Sequence, residues 1–212
     1  ACDYLEREIR KLGVDIHLNA AVTEVELDSR KPDAVILATG SVPFVPPIQG
    51  LSGGGAVLVD DVLEGRAPVG RRVAIIGGGA IGAETAHLLV EEEDREVYLI
   101  EMRDGIAVDL PQDARICLLH AFEQTPSLHQ ITNAKVTAVT PESITLERQG
   151  QTEVVDRLDT IILAVGARPN QGLRPALEAL GIPFLVSGDA TGPKDYVKAI
   201  YEGFVAGNTI AE

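Results

Sequence analysis

Cysteine is scarce in this chain, with Cys2 and Cys117 the two it has, far apart in sequence. A disulfide framework is thereby excluded, and such usage fits a reducing cytoplasm. Long apolar runs are missing too: none approaches the ~20 residues that span a bilayer. No basic stretch leads into an apolar one at the start, as it would in an export signal. Positive charge is in short supply, since 18 Lys and Arg face 32 Asp and Glu, for a formal net charge of −14. Without a basic stripe to offset that charge, nucleic acid and anionic membrane surfaces are poor partners. His17, His87, His120 and His129 lack metal-site spacing and suit packing or surface roles, so no metal is expected. No Ser-His-Asp order or nucleophile elbow is visible.

What is there suits a globular α/β protein. Hydrophobic residues make up 45% and charged residues 24%, and 212 residues allow one large domain or two small ones. The acidic run EEED at 91–94 reads as a solvated helix end. The chain starts at Ala1 rather than methionine and is expected to be a piece of something longer.

Along the chain, Leu5, Ile9 and Leu12 have helical spacing, and Gly13 supplies a stop. VDIHL at 14–18 and VTEVEL at 22–27 look like short strands, and DAVILATG at 33–40 like a buried one. The stretch 41–55 is dense in proline and glycine and reads as a linker between lobes. A short helix near Asp60 to Glu64, a strand VAII at 73–76 and a helix to about Val90 follow. Next come the strand EVYLIE at 96–101 and a helix from about Gln112 to Phe122, on which Cys117 is expected in the core. VTAVT, SITLER and TEVVDRL form a meander that turns back at Gln149 to Gln151. DTIILAVGARP at 159–169 then repeats the pattern of DAVILATGSVP at 33–43, so two units end in the same kind of strand and turn. A helix near Leu173 to Leu180, the strand FLVSGD at 184–189 and an amphipathic helix carrying Val197, Ile200, Tyr201 and Phe204 complete the chain.

The sharpest signal is VAIIGGGAIGAETA. Gly77, Gly79 and Gly82 follow an apolar strand and open a helix, the context in which G-x-G-x-x-G binds a dinucleotide. Gly77 permits the tight turn, Gly79 a close approach of the diphosphate to the backbone, and Gly82 close packing of helix on strand. Ala80 and Ile81, at the helix opening, lie where unpaired amides and the positive end of the dipole meet phosphate. Glu101 stands near the ~20-residue interval of an acid that accepts hydrogen bonds from the adenosine ribose. It would repel a 2′-phosphate and so favours NADH over NADPH, although an exposed strand-end acid would look the same. Arg103 could instead receive that phosphate. Glu84 either complements the helix dipole or touches the nicotinamide end.

GGGAIGAE at 77–84, ATGSVP at 38–43, AVGARPN at 164–170 and SGDA at 187–190 together resemble the two-dinucleotide-domain flavoproteins of the pyridine nucleotide-disulfide reductase type. LGVDIHLN, APVG and AIYEGFVAGN look most like the C-terminal region of the NADH:flavin oxidoreductases, among them 2,4-dienoyl-CoA reductase, 2-enoate reductase and trimethylamine dehydrogenase. The resemblance implies an NAD(P)-binding domain over 53–168, a parallel sheet plus β-meander, inserted in a truncated FAD-binding domain whose remnants are 1–52 and 169–212. It implies that Thr39, Gly40, Gly188 and Asp189 line FAD, with Gly166 joining the NAD residues. A strand-ending turn and a helix N-cap are the plainer readings of the four.

In the family, FMN and an iron–sulfur cluster lie upstream, and the cysteines for such a cluster are absent here. The parent would pass hydride from NADH to FAD without a catalytic acid or base from this chain. By itself the chain is expected to hold FAD weakly and to be inactive, its partners being the dinucleotide and the rest of the polypeptide. A docking module without turnover and a thiol-disulfide reductase are the other readings, the latter needing a close cysteine pair.

Overall fold

The structure, a computed structural model, describes residues 2–92, 94–193 and 195–210. Ala1 and Glu93 of the acidic run lie outside the described residues. The chain divides into two compact units: Ala1–Gly40 with Pro169–Glu212, and Ser41–Arg168. The first therefore comes from both ends of the chain, the second from its middle.

The first unit opens with α1 (Cys2–Lys11), α2 (Glu24–Arg30) and β1 (Val35–Leu37). The second contains β2 (Ser41–Pro43), a 3-10 turn at Leu51–Gly53, β3 (Val57–Leu58), α3 (Val59–Leu63), β4 (Arg72–Ile76) and α4 (Ala80–Val90). It continues through β5 (Glu96–Ile100), α5 (Gln112–Glu123), β6 (Leu128–Ile131), β7 (Ala134–Thr140), β8 (Ser143–Arg148), β9 (Gln151–Val155), β10 (Thr160–Leu163) and all but the last residue of β11 (Ala167–Pro169). The first unit resumes with α6 (Arg174–Leu180), β12 (Phe184–Val186) and α7 (Tyr196–Ile210).

In the middle unit five strands pair in the order β3-β10-β4-β5-β6, every pairing parallel. Helices lie on one face, where Val73, Ile75, Val97 and Leu99 pack with Ala83, Ala86 and Leu89 of α4 and Phe122 of α5. The antiparallel meander β7-β8-β9 covers the other, setting Val136, Ile144 and Leu146 against Ala74, Ile76, Ile100 and Leu163. Burial on both faces explains why β4 and β10 are unbroken apolar runs rather than alternating ones. Removing each of Ile75, Leu99 and Ile162 from water contributes about 1.5–3 kcal/mol, and all three are fully buried. This is the α/β, Rossmann-like arrangement with its meander that the sequence implies.

Several elements depart from the sequence reading. VTEVEL is helical: the Thr23 hydroxyl accepts the Glu26 N–H at 3.3 Å and the Glu26 carboxylate accepts the Thr23 N–H at 3.2 Å, a capping box that starts α2. VDIHL is not a strand either, because the chain leaves α1 through a Val14 N–H to Ile9 C=O bond and then turns left-handed at Asn19, with φ 54°. Segment 41–55 is built into the middle unit rather than running free: Leu51 is buried and the Val139 N–H donates to the Gln49 carbonyl at 2.8 Å. Strands β3 and β6 are additional, short edge strands with no period-two pattern of their own. Cys117 is exposed, since α5 docks through Leu118 and Phe122, one turn apart, and turns its neighbour outward. Among the described residues no helix is long and apolar enough to cross a membrane.

In the unit built from both termini, β1 and β12 pair in parallel, Val35 opposite Phe184 and Leu37 opposite Val186. Buried Leu27 of α2 and Leu177 of α6 stand beside this ribbon. The apolar stripes of α1 and α7 face outward: Tyr4, Val197, Tyr201 and Phe204 are all more than half exposed, at 58%, 62%, 66% and 69%.

Candidate functional site

At the end of β4 the chain turns through Gly77, Gly78 and Gly79 into α4, and Glu101 directly follows the neighbouring β5. Gly77 has φ 109°, and a methyl group there would strike the backbone of Ala164 at the end of β10. A methyl on Gly82 would collide with the Gly77 carbonyl and sit 3.2 Å from Cβ of Ala164, so helix and strand approach this closely only through glycine. Gly77 thus sits in a tight turn and Gly82 in a close helix–strand contact. Gly79, with extended backbone, is the residue before α4 and offers no side-chain cap. Ala80 and Ile81 form its opening, where the first N–H groups lack intrahelical acceptors. Glycine-lined backbone, amides without intrahelical acceptors and a helix dipole suit an anionic diphosphate, so this turn fits a dinucleotide.

Glu101 is buried, at 5% exposure, and points back at the turn. One carboxylate oxygen accepts the Gly78 N–H at 2.8 Å; the other accepts the Arg103 N–H at 2.9 Å and Nε of its guanidinium at 3.1 Å. Burial pushes this carboxyl's pKa up, but the Arg103 and Gly78 donors outweigh it and hold the group below the usual carboxylate range. Glu101 therefore carries full charge at neutral pH and is no loose strand-end acid. Arg103 keeps a half-exposed side chain with its Nε committed to that carboxylate. Glu84 is exposed one turn into α4, and Ile81 beside it is 52% exposed, an apolar side chain left open at the mouth of the turn. Gly166, with φ 92°, ends the β10 side in the same unit, with open space where a Cβ would stand.

The remaining candidates lie in the unit formed by the termini. Gly40, Gly188 and Asp189 share a cleft of about 570 Å³ with Ser187, Tyr196 and Gly203. Thr39 faces a different, mostly apolar cavity of about 770 Å³, with Val35, Leu37 and Leu177. Its hydroxyl donates to the Asn170 carbonyl, and the Asn170 N–H returns a bond to Gly40 C=O at 2.9 Å. Asp189 is not the N-cap of α7; it sits in a 3-10 turn at Gly188–Ala190, and Asp195 takes the cap by accepting the Lys198 N–H at 2.8 Å. The Gly188 N–H already has the Glu202 carboxylate at 2.9 Å.

Residues 28–189 match the pyridine nucleotide-disulphide oxidoreductase family. The chain belongs to that family. It is 35% identical over 211 residues to a bilirubin reductase of Mediterraneibacter gnavus (strain CC55_001C), a match covering 99% of this chain and 32% of that protein. It is 31% identical over 208 residues to an NADH oxidase of Thermoanaerobacter brockii, covering 95% and 32%. A solved structure of 2-naphthoyl-CoA reductase with 2-naphthoyl-CoA superposes with a TM-score of 0.82 at 25% identity, over 95% of this chain and 30% of that one. The chain thus spans about a third of the length of the curated relatives it matches.

Two residues of this family member's turn escape a reading of the glycine fingerprint. Gly78 is one: a methyl there would come within 2.8 Å of Glu101 Cβ and 2.6 Å of Ile106 Cδ1. The fingerprint spacing treats Gly78 as a free position, but a run of three consecutive glycines signals the constraint. Asp109 is the other. Its carboxylate accepts the Ala80 N–H at 2.9 Å from a loop 29 positions downstream, a separation at which no sequence pattern links the two.

Proposed function

We propose that this chain is the NADH-handling part of a flavin-dependent oxidoreductase of the enoate or dienoyl-CoA reductase kind. The turn at Gly77–Gly82 seats the diphosphate, Ala80 and Ile81 offer it backbone amides, and Glu101 stands at the adenosine ribose. The observation that carries this reading is the ionised Glu101, fixed by Gly78 and Arg103 at the carboxyl end of a parallel strand beside the glycine turn.

NADH, when bound, would supply hydride, and FAD of the larger enzyme would be its acceptor. The residues of this chain bind and orient. Gly40, Gly188 and Asp189 lie along the flavin nucleotide, and Glu84 and Ile81 lie toward the nicotinamide. Because the Arg103 guanidinium is already bound to Glu101, its charge is offset, and the site favours a ribose diol over a 2′-phosphate. Names among the relatives support the reaction class: an NADH oxidase and a bilirubin reductase. The exposed apolar faces of α1 and α7 support a further body of protein over the flavin unit.

Titration calorimetry on the purified chain tests the reading. NADH binds at one site and more tightly than NADPH. Failure to bind either overturns the proposal, and equal affinities remove the NADH preference. Dye reduction by NADH, with and without added FAD, separates an active enzyme from a binding part; no turnover is expected from this chain alone.

A further inference from the structure

The turn that fits a diphosphate already holds an anion belonging to the protein. Oδ1 of Asp109 accepts the N–H of Ala80, the first residue of α4, at 2.9 Å. Its second oxygen lies over Gly79, where a methyl group would meet Oδ2 at 3.2 Å. The carboxylate thus stands over the glycine whose missing side chain lets a diphosphate reach the backbone. Among the described residues no Lys, Arg or His forms an ion pair with Asp109, so the amide and the dipole at the start of α4 are what offset its charge.

The loop carrying Asp109 is anchored at its base and open at its tip. The Ala107 N–H donates to the Gly78 carbonyl at 2.7 Å, Nε of Arg115 donates to the Ile106 carbonyl at 2.8 Å, and Ile106 and Ala107 are buried. Val108 and Asp109 beyond them are exposed. The Asp109 side chain can therefore rotate off α4 while the buried residues stay in place.

We propose that Asp109 is a resident carboxylate that occupies the diphosphate seat of the free protein and yields it to the dinucleotide, thereby setting dinucleotide affinity. This rests on the dinucleotide reading of the turn given above. The physical reason is competition. A diphosphate and a carboxylate at one helix terminus want the same N–H and repel each other, so binding must break the Asp109–Ala80 bond and move the negative charge away. A carboxylate that merely capped the helix would make the same bond but would leave affinity untouched or, on removal, lower it.

The experiment is calorimetric titration of the wild-type chain, Asp109→Asn and Asp109→Ala with NADH, alongside thermal melts without dinucleotide. Asn keeps the size and one acceptor oxygen but no charge; Ala removes the competitor altogether. Both variants gain NADH affinity, by about three- to tenfold, the range expected for one anion at a helix terminus. Their melting temperature without dinucleotide is unchanged or lower, and this opposition of sign is what a purely structural role would not produce. NADH binding to the wild type with no gain in either folded variant overturns the role of Asp109 alone. No NADH binding to any of the three proteins overturns the dinucleotide reading with it.

Discussion

Replacing Glu101 by glutamine changes a carboxylate into an amide of the same shape, and the structure says how much that should cost. Three donors converge on the carboxylate: the Gly78 N–H on one oxygen, the Arg103 N–H and guanidinium on the other. An amide has a single oxygen, so either Gly78 or Arg103 is left facing an NH2 group. A buried donor deprived of its partner costs about 1–3 kcal/mol. The lost attraction to Arg103 adds only a few tenths to ~1 kcal/mol, because that side chain is 49% exposed and screened. Glu101→Gln should therefore destabilise the middle unit by about 1–4 kcal/mol, a fall of roughly 3–15 °C in melting temperature for a protein of this size.

Urea and thermal unfolding followed by circular dichroism provide the measurement. A double-mutant cycle with Arg103→Ala separates the two donors: in that background Glu101→Gln should cost less, by about 0.5–1.5 kcal/mol. A Glu101→Gln variant within ~0.5 kcal/mol of the wild type, inside the range of an ordinary surface change, would refute the claim that this acid holds the turn.

Acidification should reproduce the loss reversibly. Because the folded-state pKa of Glu101 is depressed, its contribution is present above the ordinary glutamate value of about 4.3 and is lost as pH falls through the lower folded value. The stability gap between wild type and Glu101→Gln, followed by melts at stepped pH, should thus close below the usual carboxylate range. Gly82→Ala should destabilise by about 1–3 kcal/mol, since its methyl collides with the Gly77 carbonyl, and should also weaken NADH binding in the same titration. Thr23→Ala removes the side-chain half of the capping box on α2 and should cost about 1 kcal/mol, read as a lower urea midpoint for the unit that contains it.

Periodicity and turn chemistry made much of the architecture legible. Buried parallel strands declare themselves as apolar runs, so VAII and TIIL could be placed, as could the helix between Gly79 and Val90. Where local signals compete, pattern and structure part. VTEVEL alternates like a strand, yet Thr23 and Glu26 carry a capping box that outweighs the alternation in so short a segment. The strand β6, LHQI, has no pattern of its own; it exists because β5 beside it presents an open parallel edge. Cys117 shares a helix with apolar neighbours, but the side of α5 that faces the sheet was settled by Leu118 and Phe122.

By itself, the amino-acid order determined the glycine turn, the acid near the end of the next strand, and the repeated strand-and-turn that closes both units. These are short-range features, written in a few adjacent residues whose backbone freedom or charge acts locally. Tertiary structure alone decided what those residues touch. It turned Glu101 inward onto Gly78 and Arg103, divided Thr39 from Gly40 between two cavities, and brought Asp109 onto the amide of Ala80. Those contacts join residues whose separation along the chain carries no period. They form only when buried strands and helices, packed to exclude water, fix where each loop must end.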